Sequence, residues 1–343
     1  MARIEDVARL AGVSIKTVSR VINAEAGVRE PTRDRVRAAI AELGYRPDPY
    51  ARSLAGQRSF LLALVYGDAA ASYLMDVQKG MLAACAERHY AMMLCPLDAR
   101  SRPQSATMGT AARLQDALGR ARPDGLLLTP PLTDDADLHA LLMSTNQRYA
   151  SLSPWLASPD GHEDIGARMD DTAAVHELVQ ALIERGHRHI GYLDGPPEHG
   201  ASHWRRTGVL NALAQAGLAL PAQRVAQADF SFESALPAAR QLLDQSPPPT
   251  AIVAANDDMA AAVLRVAWER GIRVPEALSV CGFDDSPLSR QLNPPLTTIR
   301  QPTQDMARTA TLELIDLIGG SSEGHMHTLP YQIQWRGTVA DAS

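Results

Sequence analysis

"AGVSIKTVSRVIN", residues 11–23, reads as a short helix with an apolar back and a polar front. Ser14 suits an N-cap, and Val18, Val21 and Ile22 recur at the spacing of one buried stripe. Ile15, Lys16, Ser19, Arg20 and Asn23 then fall on the outer side, with Thr17 at its margin. Upstream, Ile4, Val7, Ala8 and Ala11 recur at i, i+3, i+4 and i+7, so a first helix is expected there, with Glu5 and Asp6 in its first turn and Gly12 at its end. Downstream, a third helix opens at Pro31 and Thr32, buries Val36, Ala39, Ile40 and Leu43, and stops at Gly44. Three short helices, the first two joined by a tight Gly-containing turn, make a helix-turn-helix arrangement.

The outward face of the second helix has a chemical use. Lys16 and Arg20 can donate to guanine O6 and N7 or to phosphate; Thr17, Ser19 and Asn23 can bond phosphate or base edges, and Ile15 can pack on a thymine methyl. The same face also suits the solvated side of a small three-helix bundle. Charge separates the two halves of the chain: residues 1–58 hold eleven Arg and Lys against seven acids, so the remainder carries −10 of the formal net charge of −6. A basic head on an acidic body fits a protein whose head alone meets a polyanion.

After the third helix, "YRPDPYARSLAGQRS" offers Asp48 as an N-cap, Pro49 at the first helical position and about six helical residues before Gly56. A helix that short does not recover its nucleation cost alone and needs a partner. Leu54 is an apolar side chain for which this helix has no core of its own. It could act as a wedge in the minor groove, paired with a second copy, or lie against the body as part of a linker.

From residue 59 onward, short apolar runs alternate with helical patterns. "FLLALVY", "AMMLCPL", "GLLLTP", "HIGYLDG", "TAIVAAND" and "LSVCGFDD" read as strands; Leu74 to Ala86, residues 111–118 and Asp135 to Met143, among others, read as helices. This rhythm implies parallel sheets covered on both faces. The irregular "SPWLASPDGHEDIG" interrupts it near residue 160 and places a boundary between two lobes, while "LTTIRQP" and "LPYQIQWRG" are expected to cross back. The expected organisation is an all-α head at 1–46, a hinge at 47–58 and an α/β body at 59–343. Within the body, lobe 1 takes 59–161 and 296–322, and lobe 2 takes 162–295 and 323–343. Ligands of open α/β sheets sit beyond the carboxyl ends of strands, so the cleft between lobes is the expected site. Those strand ends present Tyr66 and Asp68, Asp194, Phe230, Asn256 and Asp257, and Asp284 and Asp285, with Arg205 on a helix facing the same cleft. Such amides, carboxylates and a guanidinium, with Tyr73 and Phe230 as flat faces, suit a polyhydroxylated ring. Helix capping is an alternative role for Asn256 and Asp257, and a turn for Asp285.

Other chemistries lack their motifs. There is no GxSxG, HExxH or GxxxxGK[ST], and no GxGxxG after a strand. His187, His189, His325 and His327 lack a third ligand at usable spacing, so no metal and no cofactor is expected. Cys85, Cys95 and Cys281 are scattered, which suits buried reduced thiols in the cytoplasm, and no apolar run approaches a membrane span. Trp268 is expected in the core, and Trp155 and Trp204 at the pocket or its rim.

"IEDVARLAGVSIKTVSRVIN", "VREPTRDRVRAAIAELGYRP" and "ARSLA" together resemble the head and hinge of the LacI/GalR family of bacterial transcriptional regulators. "GHRHIGYL", "PTAIVAANDDMA" and "RGIRVPEALSVCGFDDSPLSRQLNPPLTTIRQP" resemble its effector domain, which is similar to periplasmic sugar-binding proteins. The resemblance implies a homodimeric repressor on a palindromic double-stranded DNA operator, with a small effector between the lobes. Ile15, Lys16 and Arg20 match positions that read bases, and Leu54 and Ala55 match minor-groove positions. Ser14, Thr17, Ser19, Asn23 and Arg52 complete the expected DNA-contact set. Tyr73, Leu74, Arg205, Phe230, Asn256 and Asp284 match effector contacts, to which the strand-end reading adds Tyr66 and Asp68. Purine-responsive members carry an arginine at the place of His199, which counts against a purine, and Arg205, Asn256 and Asp284 together favour a sugar or glycoside. The competing expectation is a cytoplasmic solute-binding module with no operator. Leu54→Ala is expected to abolish the sequence-specific complex on a palindromic duplex in a gel-shift titration; an undiminished complex would overturn the hinge reading.

Overall fold

The computed structural model describes residues 2–22, 27–45, 58–97, 109–119, 121–154 and 165–342. The chain divides into two compact units, Met1–Phe60 and Leu61–Ser343. In the first, α1 (Ile4–Ala11), α2 (Ile15–Ile22) and α3 (Glu30–Leu43) enclose a small core of Val7, Ala8, Ala11, Val18, Val21, Val36 and Ala39. Gly12 and Gly44 close α1 and α3 in the left-handed conformation, at φ 65 and 55, where a side chain is disfavoured. Ser14 Oγ accepts the Thr17 N–H at 3.2 Å, which fixes the start of α2.

In the second unit, two sheets are built from β1 (Leu61–Tyr66), α4 (Ala71–Arg88), β2 (Ala91–Pro96), α5 (Thr110–Leu118), β3 (Gly125–Leu128), α6 (Ala136–Ser144), β4 (Tyr149–Leu152), β5 (Gly166–Arg168), α7 (Asp171–Glu184), β6 (Ile190–Asp194), α8 (Gly200–Gln215), β7 (Val225–Gln227), α9 (Phe232–Leu243), β8 (Ala251–Ala254), α10 (Asp257–Glu269), β9 (Ser279–Asp284), α11 (Pro287–Gln291), β10 (Thr297–Arg300), α12 (Thr303–Gly319), β11 (Met326–Thr328) and β12 (Gln332–Gln334). The first sheet runs β11-β5-β4-β3-β1-β2 with parallel pairing throughout; the second runs β12-β10-β9-β8-β6-β7, with β12 alone antiparallel. Alternation covers both faces of the first sheet. Leu62, Leu64 and Leu127 pack with Val77 and Met81 of α4, and Ala63, Val65, Leu126 and Leu128 pack with Leu114 of α5 and Leu138 of α6. In the second lobe, α7 packs on α8 and α9 on α10. Four helices, α6, α7, α9 and α10, are capped by the side chain one residue before them: Asp135, Asp170, Ser231 and Asn256 each accept a first-turn N–H.

Sheet membership moves the lobe boundaries. β5 and β11, expected within lobe 2, are strands of the first sheet, and β10, expected within lobe 1, belongs to the second. The chain therefore crosses after Arg168, after Arg300 and after Thr328. The irregular segment near residue 160 precedes the crossing because the chain first pairs β5 beside β4, where Gly166 at φ 147 lets the backbone approach Ser151: a Cβ there would stand 1.9 Å from the Ser151 carbonyl oxygen. Trp268, expected in the core, is 74% exposed, because the inward stripe of α10 is already filled by Met259, Ala260, Val263, Val266 and Ala267. All three cysteines are free and buried. No described helix is long and apolar enough to cross a membrane.

Lobe 1 closes on the contact of α4 with α12. A Cβ on Gly80 would lie 2.1 Å from the Gln304 carbonyl oxygen and 2.9 Å from the Ala307 Cβ. Gly80→Ala is therefore expected to lower stability by about 1–3 kcal/mol through overpacking, seen as a lower urea midpoint; an unchanged midpoint would contradict the close packing.

Candidate functional site

The polar face of α2 stands open in the first unit. Ser14, Ile15, Lys16 and Arg20 are exposed, and Thr17 and Ser19 half-buried, while Val18 and Val21 face the core. The Ser14 and Thr17 hydroxyls share a hydrogen bond of 2.9 Å, so both are pre-positioned at the helix start. Asn23, Arg52, Leu54 and Ala55 lie outside the described residues, as does Trp155.

In the second unit, a cavity of about 750 Å³ lies beyond the carboxyl ends of strands from both sheets. Lobe 1 supplies Asp68 after β1, Pro130 and Pro131 after β3, Ser153 after β4, and Tyr73 from α4; lobe 2 supplies Phe230 after β7, Asn256 after β8, Asp284 at the end of β9 and Gln301 after β10. Arg205 reaches the cavity from α8. Its Nε donates to Asp171 Oδ2 at 2.9 Å and its Nη1 to the Ala255 carbonyl at 2.6 Å, with the guanidinium 3.5 Å over the Phe283 ring. Locked this way, Arg205 keeps its second terminal nitrogen for a ligand.

The wall is strained and under-bonded. Ser153, Phe230 and Asp284, all on the cavity, hold positive φ values of 46, 67 and 115, which are costly for residues with a Cβ. The Tyr73 hydroxyl, Ser153 Oγ and Asp171 Oδ1 are buried without a hydrogen-bond partner. Burial pushes the Tyr73 phenol up, so it remains a proton donor at neutral pH. Burial also raises Asp284 well above the usual carboxylate range, against the pull of Arg205. His199 packs edge-on to Phe230 at 5.3 Å, and burial lowers it. Polar groups left unsatisfied in a roomy cavity are what a hydrogen-bonding ligand supplies.

Of the residues read from the sequence, Asp68, Tyr73, Arg205, Phe230, Asn256 and Asp284 come together on this cavity, whereas Tyr66 and Leu74 do not line it. Tyr66 packs against the lobe core, and Leu74 is turned aside from Tyr73 by the helical step between neighbours. Asn256 lines the cavity but is partly spent: its Oδ1 caps α10 at Met259 N, and its Nδ2 donates to the Phe230 carbonyl at 2.9 Å. Ser153, Asp171 and Gln301 were missed. Each sits at or just beyond the end of β4, β5 or β10, so the strand-end rule would have found all three had those short strands been recognised.

Comparison with known proteins covers both units. A family model described as bacterial regulatory proteins, lacI family, matches residues 3–48, and one described as periplasmic binding protein-like domain matches residues 179–339. The HTH-type transcriptional repressor PurR of Pectobacterium carotovorum subsp. carotovorum (strain PC1) is 34% identical, over 99% of this chain and 98% of the relative. The chain belongs to the lacI family of bacterial regulatory proteins. Two solved structures agree with it in fold. The transcriptional regulator CelR in complex with cellobiose matches at TM-score 0.72 and 32% identity, covering 98% of this chain and 100% of that one. The lac repressor dimer bound to operator and the anti-inducer ONPF matches at TM-score 0.76 and 28% identity, covering 99% of each. As a lacI-family member the chain is a DNA-binding transcriptional regulator.

Two carboxylates beside the cavity of this lacI-family regulator hold the fold instead of facing ligand. Asp285 accepts from Arg336, Arg300 and Ser289; burial alone would raise it, and these bonds hold it below the usual range. Asp257 accepts from Thr298 Oγ1 at 2.6 Å and from Ser286 N at 2.7 Å, yet burial still pushes it up to about 6. Because its folded pKa is raised, the folded state binds this proton more tightly than the unfolded chain does. Its contribution to stability is full at low pH and is lost as pH rises through about 6. The stability advantage of the native protein over Asp257→Asn should therefore fall by up to about 3 kcal/mol between pH 4 and pH 7 in urea titrations; a difference that grows with pH would refute this.

Proposed function

We propose that the protein represses genes of carbohydrate use, as a dimer whose α2 faces read the half-sites of a palindromic operator and whose hinges, residues 47–58, order on that DNA. A sugar or glycoside held in the cavity shifts the lobes between two arrangements of different operator affinity. The observation that carries this reading is the cavity itself. At about 750 Å³ it lies within the range of small-molecule sites, and it offers a fixed guanidinium at Arg205, free hydroxyls at Tyr73 and Ser153, and the ring of Phe230. That set pairs with the edge and the face of a polyhydroxylated ring, and CelR, similar over nearly the whole chain, was solved with cellobiose.

Asp68, Tyr73, Arg205, Phe230, Asn256 and Asp284 form the proposed effector set, and Ser14, Ile15, Lys16, Thr17, Ser19 and Arg20, with Asn23, Arg52, Leu54 and Ala55, the proposed DNA set. Dimerisation draws support from exposed apolar side chains on the second unit: Met75 and Leu82 on α4, Leu94 on the edge strand β2, and Trp268 on α10. Side chains of this size are enriched at interfaces.

A gel-shift titration of a palindromic duplex against a scrambled one, with sedimentation of the free protein, tests the proposal. A dimer and a sequence-specific complex are expected, with apparent affinity moved about 5–150-fold by a sugar. A stable monomer or tetramer overturns the assembly, and a specific complex indifferent to every sugar overturns the carbohydrate effector.

A further inference from the structure

Seven carboxylates line the cavity, against the single guanidinium of Arg205. That guanidinium is already committed to Asp171, and Asp229 is satisfied by Ser231 and Ser234. Glu198, Glu233, Asp258 and Asp284 make no side-chain hydrogen bond or ion pair among the described residues. Glu198 and Glu233 are exposed and keep their water, but Asp258 and Asp284 are half-buried. Burial raises Asp258, and the like charge of Glu233 raises it further. His199 gives no compensating charge, because burial favours its neutral form. A wall of this composition is repulsive to phosphate or carboxylate ligands and short of a cation.

Two further features say what kind of cation fits. Two side chains that line the cavity each hold a buried hydrogen-bonding atom with no partner among the described residues: Ser153 Oγ, on a residue 8% exposed, and Asp171 Oδ1, on a residue 3% exposed. Asp171 Oδ1 only accepts and Ser153 Oγ both donates and accepts, so a hydroxylated ligand that carries donors suits both. Among the described residues no group of three His, Cys, Asp or Glu could hold a metal ion, and the aromatic rings that line the cavity suit an organic cation. Tyr73 from lobe 1 and Phe230 from lobe 2 both line the cavity, and an aromatic ring attracts such a cation through its face.

Resting on the effector role of this cavity, we infer that its ligand is a hydroxylated amine, an amino sugar or similar compound, whose ammonium group is held by Glu233, Asp258 and the Phe230 ring. The neutral hydroxyls of such a ligand meet Arg205, Ser153 and Asp171, as in the broader carbohydrate reading. Its charge supplies what the carboxylates lack.

Calorimetric titration of the full-length protein with glucosamine, galactosamine and mannosamine, each against its neutral parent sugar, and with glucose 6-phosphate, tests this. At least one amine should bind about tenfold or more tightly than its parent, and the phosphate most weakly of all. The preference should collapse toward unity in Asp258→Asn, and also in Glu233→Gln, which alters an exposed side chain and leaves the fold intact. Amines no tighter than their parents, including the absence of heat from both, overturn the inference, as does a preference that survives both substitutions. The operator gel shift is independent: an amine preference without an operator complex would sink the regulatory reading alone, and sugar-sensitive operator binding without an amine preference would sink this one alone.

Discussion

The buried pair of Arg205 and Asp171 is the constraint around which the effector unit is organised. Asp171 opens α7 just after the chain has crossed from the first sheet, Arg205 lies on α8, and the Ala255 carbonyl that shares the guanidinium follows β8. A charge pair this buried gains little net stability, since desolvation offsets most of the attraction. Its value is geometric: removing either partner strands a charge, so crossover, helix and strand end are held in one relation. Phe283 under the guanidinium adds a flat apolar seat without consuming a donor. The strained backbone at Phe230 and Asp284 persists because that frame over-determines it.

The head was legible almost residue by residue. Its helices are short, each is bounded by a cap or a left-handed glycine, and its core is local in sequence, so periodicity and capping carry nearly all the information. The body was legible in rhythm but not in partition. Four-to-six-residue apolar runs such as β1, β3, β8 and β9 announce themselves, whereas β5, β11 and β12 have three residues each, and their pairing is decided by strands far away in sequence. Trp268 shows the same limit: a helix stripe can be counted from sequence, but whether one more large apolar residue is needed inside depends on neighbours that already fill it.

The site followed a general rule better than it followed chemistry. Beyond-the-strand positions located Asp68, Phe230, Asn256 and Asp284; of the others, Tyr66 packs against the lobe core, Asp257 and Asp285 anchor hydrogen bonds, and Asp194 accepts from Arg206 away from the cavity lining. Ser153, Asp171 and Gln301 escape because β5 has only three residues and β4 and β10, with Ser151, Thr297, Thr298 and Arg300 in four-residue strands, lack the continuous apolar run of β3 or β8. Chemistry alone could not rank the acids. Asp257, Asp284 and Asp285 are neighbours in space with the same side chain, yet two serve as hydrogen-bond anchors and one faces the cavity; only the distribution of donors around each separates them.

The acidity of the body thereby gains a location. A chain that binds DNA through a small basic head gains from an acidic remainder, because like charge keeps the body off the phosphates and leaves binding to the residues that read sequence. Spread over the surface, that charge would do no more. Concentrated in part on a concave wall with low-dielectric packing behind it, the same charge acquires selectivity, since field lines focus in clefts and unpaired, half-buried carboxylates respond strongly to what fills them. A ligand that neutralises this wall is favoured most in the lobe arrangement that surrounds it most completely. Differential affinity of that kind is the one quantity that can convert binding into a change of operator affinity.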